Sequence, residues 1–283
     1  MSKFIIIDKV YKAGCKLLKW LKIMDVENHE SNRLYKYYPP MDYNFDALYN
    51  GYWFFSKFGH ANDPFDCDLS LLDIIKNKWN LNSKDIDKEA IKNFAICSFS
   101  DSYLNKHLWA LYSNGHTGFV VEYEYDDMQY MEFSNKGLPL PLFDVSYLSK
   151  EEIETTEEIP VKQLIPPLQD MPPARQKRQE MDNLFFFFYS IKEKQIWNEE
   201  HEKRLLIGRN RPSFQTDKFF IDCRCKNGYK VYFPIQLVKR IIAGMNISPD
   251  NLKRLKSIAK KYNVGVYKVV KERPFELRLV KTK

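Results

Sequence analysis

The stretch LVKRIIAGMNISPDNLKRLKSIAKKYNVGVYKVV, residues 237–270, indicates the fold class because it changes from strand to helix and back. Its first part is rich in β-branched residues, and so is the segment VGVYKVV at its end, which is typical of extended strands. Between them, PDNLKRLKSIAKKY carries a proline and Asp250 in its first turn, as many helices do. These residues therefore predict a strand, a helix and a second strand in succession.

Further strands are predicted where aromatic and β-branched residues stand between turn residues. These strands cover residues 33–38, 52–56, 94–100, 117–125, 142–148, 203–208 and 229–234. Helices are predicted over residues 9–23, 83–95, 103–113 and 175–196. The segment 150–174 is rich in glutamate and proline, which indicates a peripheral excursion and not a central strand. We therefore expect one α+β domain over residues 1–283, with a mixed, mainly antiparallel sheet framework flanked by helices.

The overall composition indicates a globular protein with a sizeable core. The chain has 283 residues, of which 44% are hydrophobic, and it contains 20 Phe and 18 Tyr. Its formal net charge of +7 permits a polyanionic partner without requiring one. Basic residues are spread along the chain, with one denser stretch, LKRLKSIAKK, at residues 252–261.

Cysteine usage and absent motifs exclude several classes of protein. The 5 cysteines are odd in number and irregularly spaced, which argues against a zinc site and fits a reducing, cytoplasmic compartment. No apolar stretch has the length of a signal peptide core or of a membrane span, so we expect no membrane partner. The sequence also contains no GxGxxG, Walker A, HExxH or GxSxG pattern, which excludes several common enzyme classes.

Two segments that could carry chemistry lie on predicted strands. In LYKYY, Lys36 stands between Tyr35 and Tyr37 and faces away from both if the segment is a strand. In CSFS, Ser98 and Ser100 share one face of their strand. Both segments also have a structural explanation, because a lysine can simply be exposed on an aromatic strand and serines often begin a turn or cap a helix.

The third such segment is NEEHEKRLL, residues 198–206. Glu200 and Glu202 are two residues apart, so on a strand they point to one side and His201 points to the other. The apolar residues that follow indicate a buried strand, and we expect both carboxylates to lie on that strand and face a cleft. The alternative is that they are solvated charges at the protein surface.

In chain order, these segments give a basic residue beside an aromatic one, a strand that ends in S-x-S and a later E-x-E. This order resembles the arginine–serine–glutamate class of ADP-ribosyltransferases, with Lys36 standing where that class has arginine. The resemblance implies an ADP-ribosyltransferase-like fold and an enzyme that uses NAD and no metal. It also implies that Glu202 stabilises the positive charge that develops on the ribose as nicotinamide leaves, while Glu200 orients or deprotonates the nucleophile. The residues implied to bind NAD are Tyr35, Lys36, Ser98 and Ser100.

A longer series of motifs covers most of the chain: LYKYY, GYWFFSKFGHANDPFD, ICSFSD, LWALYSNGHTGFVVEYE, VSY and a K-x-x-W-x-x-E-x-E-x-R-L pattern. Together these motifs resemble the bacterial domain-of-unknown-function family 2971. Such families suggest a cytoplasmic bacterial effector that acts in phage defence or as a toxin. The matching residues are Tyr35, Lys36, Tyr37, Asn62, Asp63, Pro64, Phe65, Asp66, Ser98, Phe99, Ser100, Trp109, Tyr112, His116, Gly118, Trp197, Glu200, Glu202 and Arg204.

The segment NDPFD supports an alternative function. Asn62 is typical of a turn, whereas Asp63 and Asp66 could bind a metal ion or a ribose. Together with Glu200 and Glu202, these aspartates would suit a metal-dependent nuclease or another phosphodiester enzyme. A third hypothesis is a protein without enzymatic activity that binds nucleic acid or a partner through its basic and aromatic surface.

The motifs contribute four further candidate site residues, which are Trp109, His116, Trp197 and Arg204. His116 belongs to the tight turn NGHTG after a predicted helix, where capping or packing competes with a catalytic role. The acceptor of the implied transferase, a protein or a nucleic acid, stays open at this point, and so does the oligomeric state.

Overall fold

The computed structural model of the protein describes residues 33–60, 63, 65–78, 94–135, 140–155, 188–207, 221–222, 225–274 and 276–282. The chain divides into two compact units, and all described strands belong to the second of them. The first unit comprises residues 1–32, 69–86 and 151–189, and the second comprises residues 33–68, 87–150 and 190–283. The prediction of one domain over residues 1–283 stays a prediction. The predicted helix 9–23, most of the predicted helix 83–95 and most of the excursion 150–174 lie outside the described residues.

The described helices are short, except for the last one. They are α1 (Asp42–Asn50), α2 (Leu69–Lys78), α3 (Lys106–Leu111), α4 (Asp127–Asn135), α5 (Lys150–Thr155), α6 (Lys194–Trp197) and α7 (Pro249–Tyr262), with single 3-10 turns at Asn198–Glu200 and Ile235–Leu237. The cap of α7 is local in origin, because the Ser248 side chain accepts a hydrogen bond from the backbone N–H of Asn251 (3.2 Å). Within the described part of the chain, no helix is long and apolar enough to cross a membrane.

The strands follow the aromatic and β-branched segments of the sequence. They are β1 (Arg33–Tyr38), β2 (Tyr52–Lys57), β3 (Ala95–Ser100), β4 (Phe119–Glu124), β5 (Leu142–Asp144), β6 (Ser146–Leu148), β7 (Ile191–Glu193), β8 (Glu202–Ile207), β9 (Ile221–Asp222), β10 (Gly228–Tyr232), β11 (Val238–Ala243), β12 (Val266–Arg273) and β13 (Glu276–Lys281).

Most of these strands form one sheet. Its order is β13-β12-β11-β4-β1-β3-β2-β10-β9, with β8 paired to β3 and β5 paired to β8. Only β11 and β12, which α7 connects, are parallel within the described sheet; β6 and β7 form a separate parallel pair. The predicted α+β class with a mixed, mainly antiparallel sheet is therefore confirmed, and so is the predicted strand–helix–strand tail.

Alternation along the strands places a different apolar cluster on each face of the sheet. On β4, Val121 and Tyr123 belong to the larger cluster, whereas Val120 belongs to the smaller one. The larger cluster is rich in aromatic rings, and the fully buried Trp53 lies at its centre beside Phe99 and Tyr123. This packing fixes the positions of β1, β3 and β4, which carry several of the candidate site residues.

Strand β3 has partners along both edges. On one edge, two partner strands pair with opposite ends of β3 and leave a gap between them. One edge of β3 pairs with β8 over its whole length. On the other edge, β1 pairs only where Tyr35 lies opposite Ser100, and β2 pairs only at the beginning of β3, where Ser56 lies opposite Ile96. Residues 97–99 therefore border a gap between β1 and β2.

Two predicted elements need correction. Residues 142–148 are not one strand, because β5 pairs with β8 while β6 pairs with β7, and the chain passes from one sheet to the other at Val145. Residues 175–196 are not one helix, because residues 191–193 form β7 alongside β6. In both segments, pairing with distant strands overrides the local pattern.

Candidate active site

A cleft of about 710 Å³ lies at the gap beside β3. Residues of β1, α1, β2, β3 and the start of β8 line it, including Lys36, Ser98, Ser100, Glu200 and Glu202. The basic, serine and glutamate segments of the sequence thus meet at one place, although they are far apart in the chain. The volume is within the range of clefts that bind a nucleotide-sized ligand.

Lys36 bridges the gap in the sheet. Its Nζ donates a hydrogen bond to the main-chain carbonyl of Ser98 (2.9 Å), and it lies 5.1 Å from the centre of the Phe99 ring and 5.8 Å from that of Tyr38. As predicted, Lys36 faces away from Tyr35 and Tyr37, which pack with the smaller apolar cluster. The ammonium group therefore sits in the cleft, where it holds β1 to β3 at the point where the strands part.

Arg204 organises the acidic side of the site. Its side chain is fully buried, and its Nε and Nη2 donate to the two carboxylate oxygens of Glu202 (2.7 and 3.0 Å). Its Nη1 and Nη2 also donate to the two carboxylate oxygens of Asp66 (3.0 and 2.6 Å). One guanidinium group thus binds two carboxylates in fork geometry, which only arginine can do.

Lys192 is a second buried cation in this cluster. Its Nζ lies 2.6 Å from Glu200 Oε2 and 3.2 Å from Glu202 Oε2. The same Nζ is 4.5 Å from the centre of the Trp197 ring, which covers it from one side. Burial lowers the pKa of Lys192, but the two carboxylates outweigh this effect and raise it above its ordinary value, so the amine stays charged.

The charge of Glu202 is fixed by these partners. Burial by itself raises the pKa of this carboxyl group, but Arg204 and then Lys192 lower it to about 2. A smaller lowering contribution comes from a hydrogen bond with the Ser98 side chain. The backbone N–H of Glu202 donates to the hydroxyl oxygen of Tyr147 (2.8 Å), which anchors the start of β8. Glu202 is therefore a rigid, ionised group.

Glu200 differs from Glu202 in having one open oxygen. Its Oε2 binds Lys192, whereas its Oε1 is buried and has no hydrogen-bond partner among the described residues. The nearby hydroxyl of Tyr112 interacts electrostatically with Glu200, and burial together with this carboxylate raises the pKa of Tyr112. A buried acceptor without a donor is costly, so Oε1 is suited to receive a hydrogen bond from a bound molecule.

The prediction that Glu200 lies on a strand is wrong, although the prediction that it faces the cleft is correct. Glu200 ends the 3-10 turn Asn198–Glu200, and His201 then takes a left-handed conformation with φ of 47°. Strand β8 begins only at Glu202. The turn is held in place because Ser100 Oγ donates to the Glu200 carbonyl (3.0 Å).

The other predicted site residues fall into three groups. Asp63 and Asp66 line the cleft, and Oδ1 of Asp63 accepts the backbone N–H of Phe65 in a turn (2.9 Å). Asn62 lies outside the described residues. Trp109 and His116 do not line the cleft: their rings stack on each other 5.8 Å apart, and Trp109 belongs to the smaller apolar cluster.

Sequence reasoning missed Lys192 and Tyr147 as site residues. Lys192 stands in SIKEKQIW among other charged residues, and nothing in that pattern distinguishes it from a solvated lysine. Its burial depends on carboxylates that the fold brings beside it. Tyr147 lies in the segment 142–148, and its contact with Glu202 depends on the path of the chain between β5 and β6.

The far end of the cleft has an aromatic and basic lining. Tyr43 and Phe54 are partly exposed there, and the Tyr52 hydroxyl donates to Asp46 Oδ2 (3.0 Å). Lys230 Nζ lies 4.6 Å from the centre of the Tyr52 ring. Aromatic faces beside a cation suit a planar base and a phosphate, so the cleft combines a nucleotide-like end with an acidic end.

Among the described residues, no group of three or more His, Cys, Asp or Glu side chains is placed to hold a metal ion. Comparison with known proteins identifies no relative of this chain: no family model, no curated protein and no solved structure matches it. The two family resemblances drawn from the sequence motifs therefore stay predictions.

Proposed function

We propose that this protein is an ADP-ribosyltransferase-like enzyme that takes NAD as its substrate, acting in the cytoplasm as a bacterial effector, in phage defence or as a toxin. The observation that carries the proposal is the convergence of Lys36, Ser98 and Glu202 on one cleft. The orphaned oxygen of Glu200 and the aromatic end of the cleft support the fit of a dinucleotide to these residues.

The acidic end has the charge that cleavage of a ribose–nicotinamide bond requires. Three carboxylates, Asp66, Glu200 and Glu202, surround the cations Lys192 and Arg204, so one formal negative charge is in excess. NAD supplies the bond that breaks, and positive charge develops on the ribose as nicotinamide leaves. A fixed carboxylate stabilises that charge without having to reorganise, which is the role assigned to Glu202.

The remaining groups position the substrate and the catalytic carboxylates, and one of them deprotonates the nucleophile. Glu200 Oε1, which has no hydrogen-bond partner among the described residues, accepts the proton of the attacking nucleophile, from an acceptor molecule or from water. Ser98 contributes to the low pKa of Glu202, and Ser100 holds the turn that carries Glu200. Tyr35 borders the cleft, and Lys36 holds β1 to β3 while presenting its charge to the phosphates.

A metal-dependent phosphodiester enzyme is less compatible with this arrangement. Such an enzyme needs carboxylate oxygens that face a divalent cation. Here Arg204 already binds both oxygens of Asp66 and both of Glu202, so these four oxygens are engaged by a protein group. The carboxylates are therefore arranged around a guanidinium group.

The test is nicotinamide release from NAD by the purified chain, with and without EDTA. Glu202→Gln keeps the shape of the side chain and removes its charge, so the rate should fall roughly 10²- to 10³-fold. Glu200→Gln should reduce transfer to an acceptor more than it reduces hydrolysis of NAD, because its role concerns the nucleophile. Lys36→Arg should be tolerated, and it should improve NAD binding if a fork suits the phosphates better.

Glu199→Gln is the matched control, because Glu199 is exposed and adjacent to Glu200. It should leave the rate unchanged, and circular dichroism should show that all variants are folded. Activity that needs a divalent ion and ignores NAD would contradict the proposal in favour of phosphodiester chemistry. No release of nicotinamide by the folded wild-type chain, with or without candidate acceptors, would contradict it in favour of a binding protein.

A further inference from the structure

Helix α7 presents two rows of cations on its outer side. Lys253, Lys256 and Lys260 recur at spacings of three and four residues and therefore form one row. Arg254 and Lys261 are seven residues apart and form a second row, next to α1. The opposite side of the helix is apolar and packs into the larger core cluster through Leu255, Ile258, Ala259 and Tyr262.

The second row lies against two aromatic residues of α1, the exposed Tyr49 and the buried Phe45. Lys261 Nζ lies 4.7 Å from the centre of the Tyr49 ring and also donates to the Tyr49 carbonyl. The guanidinium group of Arg254 lies 4.2 Å from the centre of the Phe45 ring. Tyr49 is 56% exposed, and Tyr43, six residues earlier on the same helix, is 62% exposed. Both tyrosine rings are thus exposed to solvent, and that of Tyr49 contacts the basic helix.

Helix α1 connects this surface to the cleft. Tyr43, Asn44, Asp46 and Ala47 line the cleft, whereas Asp42 on the same helix contacts Arg254 of α7 (2.6 Å). The basic rows, the exposed tyrosines and the aromatic end of the cleft are therefore neighbours within one unit of the chain. A chain-like ligand that lies along α7 would reach the cleft past Tyr49 and Tyr43.

We infer that the surface formed by α1 and α7 binds single-stranded nucleic acid and leads it to the mouth of the cleft. The cations of α7 suit a phosphate backbone, and exposed aromatic rings stack on bases that are not paired. A duplex hides the faces of its bases, so it could use the cations alone. This binding goes beyond the proposed reaction and does not depend on NAD.

The helix dipole explains only some of the cations on α7. Lys260 and Lys261 lie in the last turn of α7, where cations are favoured by the helix dipole. Lys253 and Arg254 lie beyond the first turn of the helix, where the dipole does not account for them. The acids of the surface are Asp250 on α7 and Asp42 and Asp46 on α1, and Asp46 is engaged by the Tyr52 hydroxyl.

The experiment measures fluorescence anisotropy of labelled oligonucleotides of about 20 nucleotides, which is longer than the usual site of one such module. Single-stranded DNA, single-stranded RNA and duplex DNA of the same sequence are titrated with the full chain at several salt concentrations, without NAD. The salt dependence is the slope of the logarithm of the binding constant against the logarithm of the salt concentration. In the double variant Lys253→Gln/Lys260→Gln, this slope should become less steep by about 0.7 for each lysine removed. Tyr49→Ala should weaken binding of single strands roughly 5- to 100-fold, and Tyr49→Phe should restore it.

The control is Lys271→Gln/Lys281→Gln, which removes the same charge from exposed positions on β12 and β13. It should leave binding nearly unchanged. The relative affinity for single-stranded DNA and single-stranded RNA identifies which of the two nucleic acids the surface binds. The inference is overturned if no oligonucleotide binds, if both double variants weaken binding equally, or if the duplex binds as well as the single strand and Tyr49→Ala has no effect. Competition by polyglutamate as strong as that by the unlabelled strand would also overturn it, in favour of an acidic protein.

Discussion

Two buried carboxylates of this protein, Glu202 beside the cleft and Glu122 on β4, are both held by arginine, yet their surroundings differ. Glu122 accepts from Arg240 Nε, and its other oxygen lies 3.4 Å from Arg33 Nη1. Both of these arginine side chains are 33% exposed, so water solvates part of their charge. The partner of Glu202, Arg204, has no exposed surface.

The two sites differ in what compensates the free-energy cost of burying the charged groups. At Glu122, each arginine keeps contact with water and the carboxylate is the only deeply buried charge. At Glu202, the charges are buried together and depend on one another, because none of them can be solvated if a partner is lost. A cluster of this kind beside a cavity is typical of functional sites, whereas the arrangement at Glu122 is typical of structural ion pairs.

Removing the arginine should therefore have the largest effect at the cleft. Arg204→Met leaves Asp66 and Glu202 buried without their main partner, and it should lower the free energy of unfolding by about 3–5 kcal/mol. Denaturation with urea, monitored by circular dichroism, measures this loss. A loss below about 1 kcal/mol would mean that the Arg204 cluster is solvated in the same way as the one at Glu122.

The pH dependence of stability should report the same cluster. The folded pKa of Glu202, about 2, lies below its ordinary value of 4.5, so ionised Glu202 stabilises the fold above about pH 4.5. This contribution, on the order of 3 kcal/mol, should disappear as the pH falls from 4.5 towards 2. The stability difference between wild type and Glu202→Gln should therefore shrink in that interval. A difference that is constant from pH 7 to pH 2.5 would contradict the assignment, and exposed Glu199→Gln serves as the control.

A smaller effect should follow from the hydrogen bond that holds the turn before β8. Ser100→Ala removes the donor to the Glu200 carbonyl and should cost about 1 kcal/mol. The variant should also release nicotinamide more slowly than wild type if the proposed reaction is correct, because Glu200 is no longer fixed. Ser98→Ala is the companion variant, since its hydroxyl acts on Glu202 directly. Equal melting curves for Ser100→Ala and wild type would show that β8 alone positions the turn.

The smallest effect is expected on the other face of the sheet. Arg240→Met leaves Arg33 as a partner of Glu122, and both arginines reach water, so the loss should stay below about 1 kcal/mol. The same urea experiment measures it beside Arg204→Met. If Arg240→Met proved as costly as Arg204→Met, the contrast between the two carboxylates would be wrong.

The sequence could predict elements whose cause is local. The tail of β11, α7 and β12 is marked by β-branched runs and by a proline and Asp250 in the first helical turn, so its prediction was correct. Strands β1 and β4 are equally clear from their composition. The alternation in LYKYY also placed Lys36 on the correct face of its strand.

The rest of the site depends on contacts between distant parts of the chain. The prediction that Glu200 lies on a strand was wrong because His201 adopts a left-handed conformation, which no residue pattern in NEEHEKRLL indicates. The role of Arg204 was open because its partner Asp66 is 138 residues away. Lys192 was missed because only the assembled carboxylates make its burial favourable.

The bridge between Lys36 and Ser98 has a consequence for how this protein can vary during evolution. Lys36 donates to the main-chain carbonyl of Ser98, and every amino acid that could replace Ser98 carries the same carbonyl. Point mutations can therefore remove the bridge from the lysine side only. Mutations at position 98 can therefore change the side chain that lines the cleft while β1 and β3 stay joined. The chemistry of the cleft and the spacing of its strands can evolve separately.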